Sequence, residues 1–263
     1  MYSIRCFSRP VLCLIISVFW SFSVNANGGE KGPVELIALI QKSAPKYLLE
    51  AGQKNGICGD FYSRLAPRLA FHQINLRINT HYTPIKRILA TLKEGNNAVY
   101  CGASRDEERE RIYSFSREPL YKVSNILVTS KNNRHNPSSL KALKQSGASV
   151  GTYFGTGSSH FLKKAGIRRL HERFDSVEDG LRSVAAGEID YFFYHDLGLL
   201  YSLSNSVLAL RPVPTLFRSY EHWMIYSAKM PASVQKIVDE EVSKMVKAGI
   251  ISDIRKQYEP SVN

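Results

Sequence analysis

A serine and an arginine five residues apart are the pair in this sequence best suited to hold a carboxylate. Ser104 and Arg109 follow a short apolar run, and Asp106 between them is placed to cap a helix that begins at Glu107. A planar guanidinium beside a hydroxyl and free backbone N–H groups can grip both oxygens of a carboxylate at once. The alternative is that Arg109 pairs with a neighbouring acid such as Glu108 on an exposed helix.

A glycine-rich turn forms a second candidate site. Gly155, Thr156 and Gly157 come after the predicted strand from Ser149 to Thr152. Glycines allow close approach of the backbone, and N–H groups at a helix N-terminus attract anions. A phosphate-binding P-loop is excluded because no Gly-Lys-Ser/Thr follows. An ordinary strand-to-helix turn with a serine cap is the alternative.

The third candidate is the pair His195 and Asp196, after the predicted strand from Asp190 to Tyr194. The carboxylate of Asp196 could accept an ammonium group, and the imidazole of His195 could donate a hydrogen bond. The alternative is that Asp196 caps the helix that follows. The sequence contains no G-x-S-x-G motif, and its histidines lack metal-ligand spacing. It therefore predicts a binding site with no catalytic residue, no metal and no cofactor.

Two α/β units are predicted to position these residues. From Val34 to Cys101 the pattern runs strand, helix, strand, helix, strand, and a second such unit runs from Ile126 to Tyr194. A long helix with one apolar face then ends at Gly249. Ligands in open α/β sheets collect outside the carboxyl ends of the strands. The site is therefore expected in the crevice between the two units.

The N-terminus has the layout of a secretory signal peptide. Arg5 and Arg9 precede an apolar run that ends at Val24, and Val24-Asn25-Ala26 offers small residues where a signal peptidase cleaves. The run is short for a membrane span, although an uncleaved anchor is the alternative. Cleavage after Ala26 and a secreted, soluble product are the prediction.

The chain is basic, with a formal net charge of +12 at pH 7, and loss of Arg5 and Arg9 with the signal peptide lowers this to +10. A basic surface can favour anionic ligands or an acidic partner. No run of lysine and arginine with interleaved aromatic residues argues for nucleic acid. A solvated surface with scattered basic residues is the interpretation that the sequence favours.

Two cysteines, Cys58 and Cys101, remain after the signal peptide is removed. An even number in an oxidising compartment is typical of a disulfide, which here would close a loop of 43 residues. Two independent buried thiols are the alternative, and the sequence leaves both open.

The ordered motifs of the chain resemble those of the solute-binding proteins of polar-amino-acid ABC transporters (bacterial solute-binding protein family 3), most closely the glutamine and basic amino-acid binders. The resemblance extends from about Val34 to Tyr258. Each motif is weak alone, and the ordered set is strong. The matching segments are Gly56-x-x-x-Asp60, Gly102 to Arg109 with Phe115-Ser116 and Pro119-Leu120-Tyr121, Val150-Gly151 with Gly155-Thr156, Gly187 to Asp190, and Ser252 to Tyr258.

The resemblance implies roles for individual residues. Arg109 would hold the α-carboxylate of the ligand, with Ser104, Gly155 and Thr156 beside it. The family's ammonium-binding aspartate falls on His195, and Asp196 aligns only after a one-residue insertion. Tyr82 matches an aromatic that stacks on ligand, and Tyr47 is a looser candidate for a second one.

The resemblance also implies a type II, two-lobed periplasmic binding fold that closes like a Venus flytrap. We expect the first lobe in residues 27–120 and 214–263 and the second in 121–213, with crossing strands at Tyr121–Ser124 and Arg211–Thr215 as the hinge. The predicted function is the periplasmic binding component of an ABC transporter. It would be a monomer, not an enzyme, that delivers an amino acid or a related carboxylate to a membrane permease. The alternatives are a stand-alone sensor or scavenger and a dehydratase on the same fold.

Overall fold

The computed structural model describes residues 32–49, 55–95 and 97–259. Strands and helices alternate along these residues, as the sequence predicts. In chain order they are β1 Val34–Leu39, α1 Ile57–Ala70, β2 Ile74–Ile78, α2 Ile85–Glu94, β3 Ala98–Ser104, α3 Glu107–Glu110, β4 Ser114–Phe115, β5 Tyr121–Ser130, α4 Leu140–Gln145, β6 Val150–Tyr153, α5 Gly157–Ala165, β7 Leu170–Phe174, α6 Val177–Ala185, β8 Tyr191–His195, α7 Asp196–Ser204, β9 Leu210–Pro212, β10 Arg218–Tyr226, α8 Ala232–Lys247 and α9 Ile250–Lys256.

The strands form one continuous sheet with two parallel sections. Its order is β2-β1-β3-β10-β5-β8-β6-β7, with β4 paired to β10 and β9 paired to β5. The strands β2, β1 and β3 are mutually parallel, as are β8, β6 and β7. The antiparallel strands β10 and β5 join the two sections. The carboxyl ends of β3 and β8 therefore approach the same central region from the two sections.

The two strands that cross between the sections are β5 and β10. Residues Tyr121–Asn125 pair with residues Arg218–His222. The predicted second crossing at Arg211–Thr215 is wrong, because Leu210–Pro212 instead pairs with the far end of β5 as the short strand β9. Pro212 and Pro214 explain the difference, since proline lacks the N–H that a long central strand donates.

The buried apolar side chains cluster on both sides of the crossing. One cluster packs α1, α2, α8 and α9 against β1, β2, β3 and the end of β10. Two smaller clusters pack helices α4 to α7 against β5, β6 and β8. The lobe boundaries at residues 120/121 and 213/214 stay predictions.

Cys58 and Cys101 are joined by a disulfide, with their Cα atoms 5.7 Å apart. This confirms the paired alternative over two free thiols. The bond links the first turn of α1 to the middle of β3, three residues before Ser104. It therefore fixes the strand end on which the predicted carboxylate receptor lies.

The predicted signal peptide, residues 1–26, lies outside the described residues. Among the residues that are described, no helix combines the length and hydropathy that crossing a membrane requires.

Candidate functional site

A cavity of about 30 Å³ lies where the ends of β1, β3 and β8 meet the crossing strand β10. Its volume is room for roughly two water molecules. The side chains and backbone around it come from both sections of the sheet. They are Gln41, Lys46, Ile85, Tyr100, Gly102, Ala103, Ser104, Arg109, Thr156, Gly157, Ser158, Tyr194, His195, Tyr220 and His222.

Arg109 lines the cavity and is held there by Ser104. Its Nη1 donates to the carbonyl oxygen of Ser104 at 2.9 Å and to the Oγ of Ser104 at 2.7 Å. Asp106 caps α3 as predicted, since its carboxylate accepts from the backbone N–H of Arg109 at 3.0 Å. The Nε of Arg109 is 3.8 Å from that carboxylate. Arg109 thus pairs weakly with Asp106 and not with Glu108, and its guanidinium faces the cavity.

Ser104 ends a longer strand than the sequence indicated. The predicted strand stopped at Cys101, whereas β3 continues through Gly102 and Ala103 to Ser104. Gly102 has a φ of 85°, and a Cβ there would lie 2.6 Å from the Cδ of Lys46. Only glycine lets the side chain of Lys46 lie this close to β3.

Lys46 is a cavity residue that the sequence did not single out. Its side chain is buried, and its Nζ donates to Tyr100 Oη at 2.6 Å, to Gln41 Oε1 at 3.1 Å and to Gly102 O at 3.4 Å. Burial, reinforced by the positive charge of Arg109, lowers the pKa of Lys46 to about 7. Its backbone carbonyl accepts from Cys58 N–H at the start of α1, which fixes the loop that carries it.

We call Lys46 and Arg109, with Gln41, Tyr100 and Ser104, the basic side of the cavity. The opposite face comes from the ends of β6 and β8 and the start of α5. It consists of hydroxyl groups and one imidazole, and we call it the neutral side: Thr156, Ser158, Tyr194 and His195.

Thr156 caps α5. Its Oγ1 accepts from Ser159 N–H at 3.4 Å and donates to Tyr153 O at 2.8 Å, so the cap of this strand-to-helix turn is a threonine and not the serine of the alternative. Gly155 lies outside the cavity, against Ile85 and Lys86 at the start of α2. Gly157 faces Ser104 across the cavity, and any Cβ at this position would collide with the Ser104 hydroxyl. The two sides are therefore in close contact here.

His195 lies in the cavity and Asp196 does not. His195 caps α7, because its Nδ1 accepts from the N–H of Gly198 at 3.0 Å. Burial, with the nearby charge of Lys46, holds the pKa of His195 well below its usual range. The carboxylate of Asp196 instead accepts from the backbone N–H groups of Leu197 at 2.7 Å and Ser124 at 3.1 Å.

His222, near the middle of the crossing strand β10, completes the cavity between the two sides. Its ring meets that of His195 edge-on at a centroid distance of 5.4 Å. Burial, together with His195 and Lys46, holds the pKa of His222 well below its usual range. Both imidazoles are therefore neutral at physiological pH.

The two predicted aromatic residues lie elsewhere. Tyr47 is buried behind the basic side, where its hydroxyl donates to Cys101 O at 2.7 Å and its ring stacks near those of Tyr62 and Tyr100. Tyr82 lines a neighbouring cavity of about 220 Å³ together with Ile85, which borders both cavities. Neither tyrosine lines the cavity that contains Arg109. Their ligand contacts stay predictions.

Sequence reasoning missed Lys46, Gln41, Tyr100 and His222. A usable signal existed for Gln41 and Lys46, which follow the carboxyl end of β1, where ligands collect in such sheets. No signal existed for His222, which lies within a strand and reaches the cavity only because β10 crosses between the sections. Among the described residues, no group of His, Cys, Asp and Glu side chains is arranged to hold a metal ion.

Two α/β sections joined by two crossing strands, with a cavity between them, define a two-lobed α/β fold, and solved structures confirm this fold. No protein-family model and no curated protein sequence matches the chain. An ancestral arginine-binding protein bound to arginine is 20% identical, with a TM-score of 0.72 over 88% of this chain and 99% of that one. An amino acid ABC transporter substrate-binding protein, AbpA from Streptococcus pneumoniae bound to L-arginine, is 19% identical, with a TM-score of 0.70 over 87% and 94%.

A third similar structure is an ancestral amino acid-binding protein described as a precursor of cyclohexadienyl dehydratase. It is 18% identical, with a TM-score of 0.70 over 86% of this chain and 95% of that one. At these identities the likeness establishes the fold, which is the two-lobed fold that the sequence predicts.

Proposed function

We propose that this protein is the periplasmic binding component of an amino-acid-type ABC transporter and captures a small carboxylate between its two lobes. The observation that carries the proposal is the position of Arg109. Its guanidinium is held by Ser104 at the end of β3 and faces a cavity lined from both sections of the sheet. Both bonds to Ser104 come from Nη1, so the Nη2 group is left to donate charge-assisted hydrogen bonds to a carboxylate.

Closure of the lobes supplies the signal to a permease. The basic side would bind the carboxylate first, and the neutral side would complete the cage as β5 and β10 flex. The cavity as it stands has room for roughly two water molecules, so β5 and β10 must flex apart for a carboxylate to enter. Two contacts join the sections beside it. Tyr153 Oη donates to Lys42 O at 2.9 Å, and the Lys86 Nζ lies 3.9 Å above the Phe154 ring. The proposal includes cleavage after Ala26, a monomer in the periplasm, and binding without catalysis.

A thermal-shift screen of the mature protein tests this function. We expect amino acids or small carboxylates to raise the melting temperature without being consumed. Arg109→Ala should weaken binding at least about 100-fold, because truncating one partner of a buried charge pair costs several kcal/mol. Arg111→Ala is the matched control, since Arg111 is exposed on the same segment and should leave binding unchanged.

Two results would contradict the proposal. An undiminished shift in Arg109→Ala would remove the carboxylate assignment. Chromatography of the reaction mixture measures whether a bound acid is converted to product. Such turnover would favour the dehydratase alternative on this fold.

A further inference from the structure

We infer that the cavity selects a small dicarboxylate that carries no ammonium group, in preference to an amino acid. This selectivity rests on the proposed function, since the cavity must be the ligand site. Three observations support it: the charged groups that line the cavity, the buried nitrogen atoms there that make no hydrogen bond, and the partners of the nearest carboxylates.

The basic side holds two cations from separate elements. Arg109 comes from α3, and Lys46 comes from the loop between β1 and α1. Lys46 donates to three oxygen atoms, and all three are neutral: a phenol, an amide and a backbone carbonyl. Among the described residues, no carboxylate lies within ion-pair distance of Lys46. A buried cation without a counter-charge is unfavourable, and an anionic ligand would supply that charge.

No acidic side chain lines the cavity within the described ranges. The carboxylate of Asp196 is occupied by the backbone N–H groups of Ser124 and Leu197. That of Asp106 accepts from the N–H of Arg109 and caps α3. A ligand ammonium would therefore meet two cations and no carboxylate, and its desolvation would go uncompensated.

Two buried imidazoles add hydrogen-bonding groups that have no partner. His195 accepts a hydrogen bond at Nδ1, so its single proton in the neutral form is on Nε2. That Nε2 is buried and makes no hydrogen bond, and neither does the Nδ1 of His222. A carboxylate oxygen near His195 would accept a hydrogen bond from Nε2. A ligand ammonium could not, because both the ammonium and Nε2–H are donors. The second acidic group of the ligand is expected between these histidines and Lys46.

The pH dependence of binding offers an independent check. Lys46 faces these ionisable or polar groups: Arg109, His195, His222, Tyr100, Tyr47 and Gln41. An empty site with Lys46 half-protonated near pH 7 must take up a proton when a dianion binds above that pH. The affinity should therefore fall as the pH rises from 7 to 9, by up to about tenfold per pH unit.

Calorimetric titration of the mature protein with matched probes tests the inference. The pairs are succinate with aspartate and glutarate with glutamate, which differ by one amino group, together with arginine, glutamine and inorganic phosphate. We expect each dicarboxylate to bind at least about tenfold more tightly than its amino-acid partner, because the added ammonium has no counter-charge. Lys46→Met should weaken dicarboxylate binding at least about 30-fold and remove the pH dependence.

Two further variants sharpen the test. Lys42→Met is the matched control: the Lys42 side chain is exposed on the same loop, and the substitution keeps the backbone carbonyl that accepts from Tyr153, so affinity and pH profile should stay unchanged. Asp196→Asn should change dicarboxylate affinity less than about twofold, since Asp196 contacts only backbone N–H groups. If Lys46→Met does not fold, the pH profile and proton uptake of the unmodified protein decide the matter.

The outcomes separate the inference from the function on which it rests. Tighter binding of aspartate or glutamate, lost in Asp196→Asn, would overturn the inference and leave the proposed function intact. Tighter binding of phosphate than of any carboxylate would overturn the dicarboxylate assignment. An unmodified protein that binds none of the probes would overturn the proposed function itself. Unchanged affinity and pH dependence in Lys46→Met would overturn the role of Lys46.

Discussion

The basic side and the neutral side of the cavity differ in how they hold their polar groups. On the basic side, Lys46 and Arg109 are basic groups that donate hydrogen bonds to neighbouring oxygen atoms. On the neutral side, Thr156 and His195 each use one polar atom to accept the hydrogen bond that caps a helix. In the proposed function, the basic side would therefore provide the charge that attracts a ligand, and the neutral side would add hydrogen bonds when the lobes close.

The two sides also differ in how firmly they are anchored. The disulfide between Cys58 and Cys101 fixes β3 on the basic side to α1. The neutral side depends on caps and side-chain packing. A fixed charged side and a side held by weaker contacts suit a hinge protein, in which one lobe keeps its geometry while the other moves.

The largest expected effect comes from the disulfide. Replacing Cys58 and Cys101 together by serine should lower the free energy of unfolding by about 4 kcal/mol, as expected for a loop of 43 residues. Denaturant unfolding with and without a reducing agent measures this. The reducing agent should destabilise the unmodified protein and leave the double variant unchanged. Equal stability of the oxidised protein and the double variant would show that the basic side is not anchored by this bond.

The next effect is the pH dependence of stability on the basic side. The pKa of Lys46 is about 7 in the folded protein and about 10.4 in an unfolded chain. Between these values the unfolded state binds the extra proton, so raising the pH favours the folded state. From pH 7 to 9 the unfolding free energy should rise by about 2 kcal/mol relative to that of Lys46→Met.

Denaturant unfolding of both proteins at each pH measures that difference. Lys42→Met serves as the control and should follow the unmodified protein, because Lys42 is exposed. Parallel pH curves for the unmodified protein and Lys46→Met would mean that Lys46 keeps an ordinary pKa and that the two sides differ less in charge than the structure indicates.

The smallest effect concerns the neutral side. His195→Ala removes the cap of α7 and should destabilise the protein by about 1 kcal/mol. His195→Asn should restore most of this stability, since asparagine is a strong helix cap, yet neither variant retains the Nε2 donor. We therefore expect both variants to bind ligand more weakly, by a few-fold, while only His195→Ala melts at lower temperature. If His195→Asn binds ligand with unchanged affinity, the role of His195 is limited to capping α7.

Much of the architecture follows from local patterns in the sequence. The alternation of apolar strands with helices of one apolar face determines two α/β sections, because each pattern can bury its apolar residues in only one way. Asp106 as the cap of α3, with Arg109 in its first turn, was likewise predictable from spacing. Cys58 and Cys101 were predictable as candidates for pairing, but their distance in space was not.

Tertiary structure decided the composition of the cavity. Lys46, Arg109, His195 and His222 come from four distant segments, and only the crossing of β5 and β10 brings them together. At the end of β8, neighbouring residues go to different places: His195 faces the cavity, and Asp196 turns to the backbone of Ser124. A shift of one residue at a strand end changes the face on which a side chain lies. The sequence by itself therefore determined the fold and singled out Arg109 as the candidate carboxylate receptor, and the packing of the two sections decided that the cavity is basic.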